Sequence, residues 1–250
     1  MMNYTAEELQ ANYDKLLSYI DKYIKGDRAK KLIEMYKEHA ERIMLMPASS
    51  IDHHHNTFPG GYVDHVKRVI DCALKLKALW AEMGSDINYT DEETVFAALN
   101  HDLGKIGTED AEQYLPNDSE WHRKNLGKIY KYNPINPFMT VPDRSLFLLQ
   151  QRGIPVSFNE YLAIKIHDGL YDDSNKPYFI SHGKESKLRS NLPILLHHAD
   201  HMASRIEFEN WNKTQDDTPT VKEKRKPHVP TEMSDTQKDD LMNVFNNLFK

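Results

Sequence analysis

Apolar residues recur every three or four positions along most of the chain, the spacing that places them on one face of an α-helix. Four segments also begin with a capping box, in which a hydroxyl and a later Glu or Gln satisfy free backbone N–H groups at a helix start. These boxes begin at Thr5, Thr90, Ser157 and Ser234. No long stretch alternates apolar and polar residues as a half-buried strand does. The pattern therefore predicts an all-α fold.

The apolar stripes also predict where the helices lie. Two amphipathic segments fill the first 46 residues, and the longest stripe follows Gly60-Gly61 and ends near Gly84. The Thr90 box opens a shorter helix that should end near Gly104, because glycine commonly follows the last helical residue. Prolines interrupt the pattern between residues 107 and 158, which predicts loops and short helices, one of them over 143–150.

Helices are predicted again over residues 159–167 and from 192 to about 210. Residues 211–233 are polar and contain three prolines, so we interpret them as a loop or linker. The Ser234 box then begins an amphipathic helix over 234–250, which could pack on the core or on a partner. The predicted organisation is N-terminal helices (1–46), a core domain (47–210), the linker and the C-terminal helix. A homo-oligomer remains open.

Charge and composition narrow the functional classes. The chain has 250 residues with 38 acidic and 32 basic side chains, a net charge of -6, so no general positive field favours nucleic acid. Binding of nucleic acid would need local basic patches. Cys72 is the only cysteine, which excludes a disulfide within the chain. No apolar run reaches the about 18 residues of a membrane span, and the N-terminus has no signal-peptide pattern. We expect a cytoplasmic protein without a membrane partner.

The residues that indicate chemistry are histidines and aspartates in a particular order. His65 lies on the helix after Gly60-Gly61, His101 and Asp102 lie together at a helix end, and Asp200 lies on a late apolar helix. Imidazole and carboxylate are ligands of divalent metals, and an adjacent His and Asp can reach one ion from a helix end. Asp200 would point into the bundle without a partner unless a cation met it. These four residues predict a metal site.

The same order resembles the HD superfamily of helical, metal-dependent phosphohydrolases. The similarity covers about residues 50–210, and the extension Leu103-Gly104-Lys105 after the His-Asp pair makes it more specific. It implies an HD-domain helical bundle, here with N-terminal helices and an appended C-terminal helix. It also implies one or two divalent ions, with Mn, Mg, Ni, Fe and Zn all open, and a metal-activated water that attacks phosphorus. Asp102 and Lys105 are the expected catalytic residues.

Some members of this superfamily hold a second ion with two additional histidines between the His-Asp pair and the last Asp. His122 and His167 fall in the corresponding order. The segment His167-Asp168-Gly169 is similar to the His-His-Gly of dinuclear members, with Asp168 in place of the second histidine. The resemblance therefore implies up to six metal ligands, which are His65, His101, Asp102, His122, His167 and Asp200.

Further residues are candidates for contacts around the metal. Three histidines, 53–55, precede the Gly-Gly pair, and three consecutive residues cannot all face one point. Some HD exoribonucleases and diesterases carry histidines just before their Gly-Gly, so the resemblance implies that His54 and His55 line the pocket mouth. Lys105, Arg123 and Lys124 could bind the substrate phosphate. His197 shares a helix face with Asp200 and is predicted to support it from behind. Arg205 and Glu207 on the same helix are interpreted mainly as a solvated pair, with substrate contact as the alternative.

The resemblance implies hydrolysis of a phosphate ester in a small phosphorylated substrate, a nucleotide or nucleotide-like compound. Three alternatives remain open at this point. The chain could be a 3′–5′ exoribonuclease or cyclic-nucleotide phosphodiesterase, an HD-type di-iron oxygenase, or a nucleotide-binding module without catalysis. The sequence is also similar to HD proteins of tailed phages, which implies the cytoplasm of an infected bacterium.

Overall fold

A computed structural model describes residues 4–52, 54 and 56–216 of the chain, apart from the side chains of residues 215 and 216. The predicted C-terminal helix over 234–250 and most of the predicted linker lie outside these residues. The helices of the described part have the following bounds: Ala6–Tyr23 (α1), Gly26–Glu38 (α2), Ala40–Leu45 (α3), Gly61–Glu82 (α4), Asp91–Asn100 (α5), Glu120–Leu126 (α6), Val141–Gln151 (α7), Phe158–Lys165 (α8), Lys176–Ile180 (α9) and Leu192–Asp216 (α10).

The all-α prediction is confirmed, and the helix starts follow from local chemistry. Thr5, Thr90 and Ser157 each accept a hydrogen bond from the backbone N–H three residues later, and the Glu at that position bonds back. These boxes begin α1, α5 and α8. The last helix runs to Asp216, six residues beyond the expected end near Asn210. Residues 211–216 are therefore helical, although their polar composition favoured a loop.

The core of the described residues is a bundle in which α4 packs against α10 and α5, and α8 packs against α10 and α5. Each of these four helices places fully buried residues in one cluster, for example Val66, Phe96, Ala163 and Leu195. The N-terminal helices α1 to α3 close one side of it through α1 contacts with α4 and α5. Helices α4, α5, α8 and α10 thus share one interior.

The proline-rich region contains the one short sheet of the described residues. Strands Tyr114–Pro116 (β1) and Tyr130–Tyr132 (β2) pair antiparallel, and α6 lies between them in the chain. Three residues per strand are too few to leave an alternating pattern in the sequence. Within residues 4–216 as described, no helix is long and apolar enough to cross a membrane.

Candidate metal centre

Four elements bring five predicted ligands to one place in the bundle. His65 comes from α4, His101 and Asp102 from the end of α5, His167 from the turn after α8, and Asp200 from α10. The three histidine side chains are at most 3% exposed and Asp102 is 6% exposed, whereas Asp200 is 21% exposed. The cluster therefore opens to solvent on the side of Asp200.

Imidazole and carboxylate atoms in this cluster lie at distances suited to a shared cation. His65 Nε2 lies 3.1 Å from Asp200 Oδ1, and His101 Nε2 lies 3.4 Å from Asp102 Oδ2. Two overlapping groups of three could each hold an ion, one of His65, His101 and Asp102 and one of His101, His167 and Asp200. The residues present fit a divalent metal, because a borderline or hard ion accepts both nitrogen and carboxylate oxygen.

Backbone hydrogen bonds set the orientation of two of the imidazole rings. His101 Nδ1 lies 2.8 Å from the Ala98 carbonyl oxygen, and His167 Nδ1 lies 2.8 Å from the Ile164 carbonyl oxygen. A neutral ring that donates from Nδ1 must present an acceptor lone pair at Nε2. His101 Nε2 is fully buried and faces a carboxylate, which is also an acceptor. A cation between the two acceptors would remove this mismatch.

The two aspartates remain ionised and ready to bind a cation. Burial by itself would raise the pKa of Asp102, but the Lys105 ammonium and His101 hold it well below its usual value. Burial would also raise the pKa of Asp200, but the hydrogen bond and the charge of His65 hold it below its usual value. Lys105 Nζ contacts Asp102 Oδ2 at 2.5 Å, and this carboxylate raises the pKa of the ammonium. Lys105 is thus a fixed positive charge beside the cluster.

A ligand-supporting residue that the sequence interpretation missed is Glu207. Its side chain is 1% exposed, and Oε2 lies 3.0 Å from His65 Nδ1, while Oε1 accepts a hydrogen bond from Arg68 Nε. Burial lowers the pKa of His65, but Glu207 and Asp200 raise it more, to about 10. The interpretation of Glu207 as part of a solvated pair is therefore wrong. A carboxylate behind a metal-binding histidine orients the ring and increases its basicity. The weak signal was spacing, since Glu207 is two helical turns after Asp200.

Glu207→Gln is expected to lower metal affinity about 10- to 100-fold with little change in the fold, because His65 would lose its charged partner. The measurement is isothermal titration of the metal-free protein with Mn²⁺, with circular dichroism to verify folding. Glu209→Gln, two residues later on the exposed side of α10, is the matched control. Equal affinities for the two variants would contradict the role assigned to Glu207.

Two glycines of the predicted motifs are needed for close packing around the ligands. A Cβ on Gly61 would overlap the carbonyl group of Asn56, at the start of the helix that carries His65. Gly169 has a φ of +58°, and a Cβ there would overlap the ring of His197. The second contact explains why a glycine follows His167-Asp168, because His197 lies directly against the backbone of that turn.

His197 supports the site through a different partner from the one expected. Its Nδ1 lies 2.8 Å from the backbone carbonyl oxygen of His167, so it contacts the turn that presents His167 rather than the Asp200 carboxylate. Ser145 on α7 supports the backbone around His101 and Asp102 in a similar way. Its hydroxyl accepts from the Gly104 N–H at 2.7 Å and bonds the His101 carbonyl oxygen at 3.1 Å. Both contacts hold a ligand-bearing turn through its backbone.

The remaining candidates lie outside the cluster. His122 is exposed on α6, contacts the ring of Trp121, and belongs to neither group of ligand atoms. Arg123 donates to the Asn117 carbonyl oxygen, and Lys124 pairs with Glu120 at 2.6 Å in an exposed position. The structure therefore does not bring these three side chains to the metal ligands, because α6 presents them to solvent.

The histidines before the Gly-Gly pair are only partly described. His54 is exposed, and His55 lies outside the described residues. Their expected place at the pocket mouth stays a prediction.

Comparison of the chain with models of protein families, with curated proteins and with solved structures gave no match.

Proposed function

We propose that this chain is an HD-type, metal-dependent phosphohydrolase that cleaves a phosphate ester of a nucleotide or nucleotide-like compound. The observation that carries the proposal is the burial of three imidazoles and two carboxylates in one cluster, with a lysine ammonium against one of the carboxylates. A site for a structural metal does not need that ammonium. A phosphate bound beside the metal would use it to neutralise oxygen charge.

In this proposal His65, His101, Asp102 and Asp200 would hold a divalent ion. Such an ion, when bound, polarises a phosphoryl oxygen and lowers the pKa of a bound water. Lys105 would bind a phosphate oxygen and balance the negative charge that develops there. Glu207 keeps the Nδ1 proton of His65 in place, and the buried histidine side limits water to the face near Asp200.

Asp102 also supports a place for a second ion. His65 Nε2 and His101 Nε2 approach its Oδ2 atom at 3.6 and 3.4 Å, whereas His167 Nε2 approaches Oδ1 at 3.7 Å. One carboxylate thus presents its two oxygens to different histidines. We propose His167 as a ligand of such a second ion.

His122→Ala is expected to leave the number of bound metal ions unchanged, since His122 is exposed and apart from the cluster. His167→Ala should lower the number bound per chain if a second ion is present. The metal content of each variant after dialysis, measured by plasma mass spectrometry, tests both expectations. Loss of one ion in His122→Ala would show that α6 moves to the site when metal binds.

The function is tested by assaying phosphate release from mononucleotides and formation of mononucleotides from cyclic nucleotides and short RNA, with Mn²⁺, Mg²⁺, Ni²⁺, Fe²⁺ or Zn²⁺ supplied in turn. Hydrolysis by the wild-type chain that is lost in Asp102→Ala would support the proposal. Oxygen consumption with two bound irons and no hydrolysis of any of these substrates would overturn it in favour of oxygenation. Tight metal and nucleotide binding without turnover would overturn it in favour of a binding module.

A further inference from the structure

A cavity of about 640 Å³ lies between the N-terminal helices and the β1–β2 hairpin. Small-molecule sites usually measure about 300–1,000 Å³, so this cavity has the size of a ligand pocket. It is lined by Arg42 and Glu41 of α3, by Tyr114 and Tyr130 of the hairpin, and by Lys105. We call it the tyrosine cavity.

Lys105 connects the tyrosine cavity to the metal centre. Its side chain forms part of the cavity wall, and its Nζ atom lies 2.5 Å from Asp102 Oδ2. A ligand that occupies the cavity and reaches Lys105 therefore ends beside a metal ligand. The two features are suited to one elongated molecule with an anionic end.

The hairpin provides aromatic surface inside the cavity. The rings of Tyr114 and Tyr130 lie 6.5 Å apart at an angle of 61°, and Tyr132 stacks on Tyr114 at 5.6 Å and 28°. Tyr132 is 64% exposed and does not line the cavity, so it fixes Tyr114 from outside. A planar ring in the cavity can pack on the tyrosines as nucleobases pack on aromatic side chains.

The charges at the cavity wall favour an uncharged, hydrogen-bonding group over a second phosphate. Glu41 and Glu112 contribute carboxylates. Glu38 is paired with Arg152 at 2.5 Å, and the Arg42 guanidinium already donates to the Thr108 carbonyl oxygen at 2.6 Å. Carboxylates accept hydrogen bonds from ribose hydroxyls or base amino groups and repel phosphate. The Lys105 ammonium supplies a positive charge at the end of the cavity next to the metal centre.

We infer that the tyrosine cavity binds the nucleoside part of the substrate, with the base against Tyr114 and Tyr130 and the phosphate at Lys105. This inference rests on the proposed function and makes it more specific. The inference favours a compound with one phosphate group next to a nucleoside over a simple phosphorylated sugar. It also disfavours a nucleic-acid strand, because the strand would have to continue through the acidic wall.

The test compares 5′-mononucleotides with ribose 5-phosphate as substrates of the metal-loaded chain. Tyr114→Leu is expected to lower kcat/KM for the preferred nucleotide about tenfold, the usual size of one lost stacking contact, and to leave ribose 5-phosphate unchanged. Tyr114→Phe, which keeps the ring, should behave as the wild type. Lys131→Met, on β2 but outside the cavity wall, controls for the hairpin, and a loss there equal to that of Tyr114→Leu would overturn the inference.

Binding of nucleosides separates this inference from the proposed function. Isothermal titration of the metal-loaded chain with adenosine, guanosine, cytidine and uridine needs no turnover. Binding of at least one nucleoside that Tyr114→Leu weakens would support the tyrosine cavity as its site, even if no phosphate ester is hydrolysed. Hydrolysis of ribose 5-phosphate as fast as of nucleotides, with no nucleoside bound, would overturn the inference and leave the phosphohydrolase proposal standing.

Discussion

Asp102→Asn is expected to remove the metal and to lower phosphate release by about a thousandfold or more, because several kcal/mol of charge stabilisation depend on a bound metal. Asp102 faces His65, His101, His167 and Lys105 at once. The amide keeps the shape of the side chain but removes its charge. The Lys105 ammonium, which is 12% exposed, would then lose the carboxylate that it contacts. Metal content and kcat/KM are the measurements.

The second His-Asp pair of the chain offers a control for this substitution. Asp168 also follows a cluster histidine directly, and its Oδ1 lies 3.7 Å from His167 Nε2, yet its side chain is 46% exposed. Asp168→Asn should retain the metal and most of the activity. If instead Asp168→Asn lost metal and Asp102→Asn retained it, the assignment of the catalytic pair would be wrong.

Arg28→Met is expected to destabilise the fold by about 3 kcal/mol or more, since it leaves a buried carboxylate without its partner. Arg28 Nη1 contacts Glu160 Oε1 at 2.9 Å, and Nη2 contacts Glu92 Oε1 at 2.6 Å. The Glu160 side chain is fully buried. This one guanidinium joins α2 to α5 and α8, the helices that lead to His101 and His167. Urea unfolding at pH 7 measures the loss.

The pH dependence of this variant has a definite sign. Burial raises the pKa of Glu160 above the ordinary value, although Ser157 and Arg28 lower it in part. The folded chain therefore binds more protons than the unfolded chain between the two pKa values, and stability rises as pH falls through the folded pKa. Removal of Arg28 raises that pKa further, so the deficit of Arg28→Met should shrink between pH 7 and pH 5.

Lys31→Met is the matched control for Arg28→Met, because Lys31 lies one turn later on α2 and its only ion pair among the described residues is an exposed one with Asp27 at 3.8 Å. Exposed pairs of this kind contribute about 0–1 kcal/mol. A loss of stability in Arg28→Met that is no larger than in Lys31→Met, or that grows toward pH 5, would contradict the role of the buried pair.

Much of the fold was predictable because its signals are local. A capping box joins residues three positions apart, so Thr5, Thr90 and Ser157 mark their helix starts without reference to the rest of the chain. The short strands around residues 114 and 130 were not predictable. Their pairing closes a connection over residues 117–129, and nothing in three residues distinguishes them from the surrounding turns.

The candidate site, like the fold, could be predicted from the sequence only in part. His65, His101, Asp102 and Asp200 could be named because two of them are adjacent and all four are typical metal ligands in a family order. Whether a histidine then reaches the cluster depends on where its element packs. His167 reaches it because α8 lies against α5 and α10, while α6 leaves His122 in solvent.

The sequence by itself determined the helical class, the starts of the main helices and the adjacent His-Asp pair, since each depends on residues within a few positions of one another. Only the tertiary structure decided that Glu207 is buried against His65, which is 142 residues away in the chain. Only the tertiary structure also places the hairpin tyrosines and Lys105 around one cavity. A polar residue on a helix looks the same in sequence whether it meets water or a buried imidazole, and packing between distant elements makes that choice.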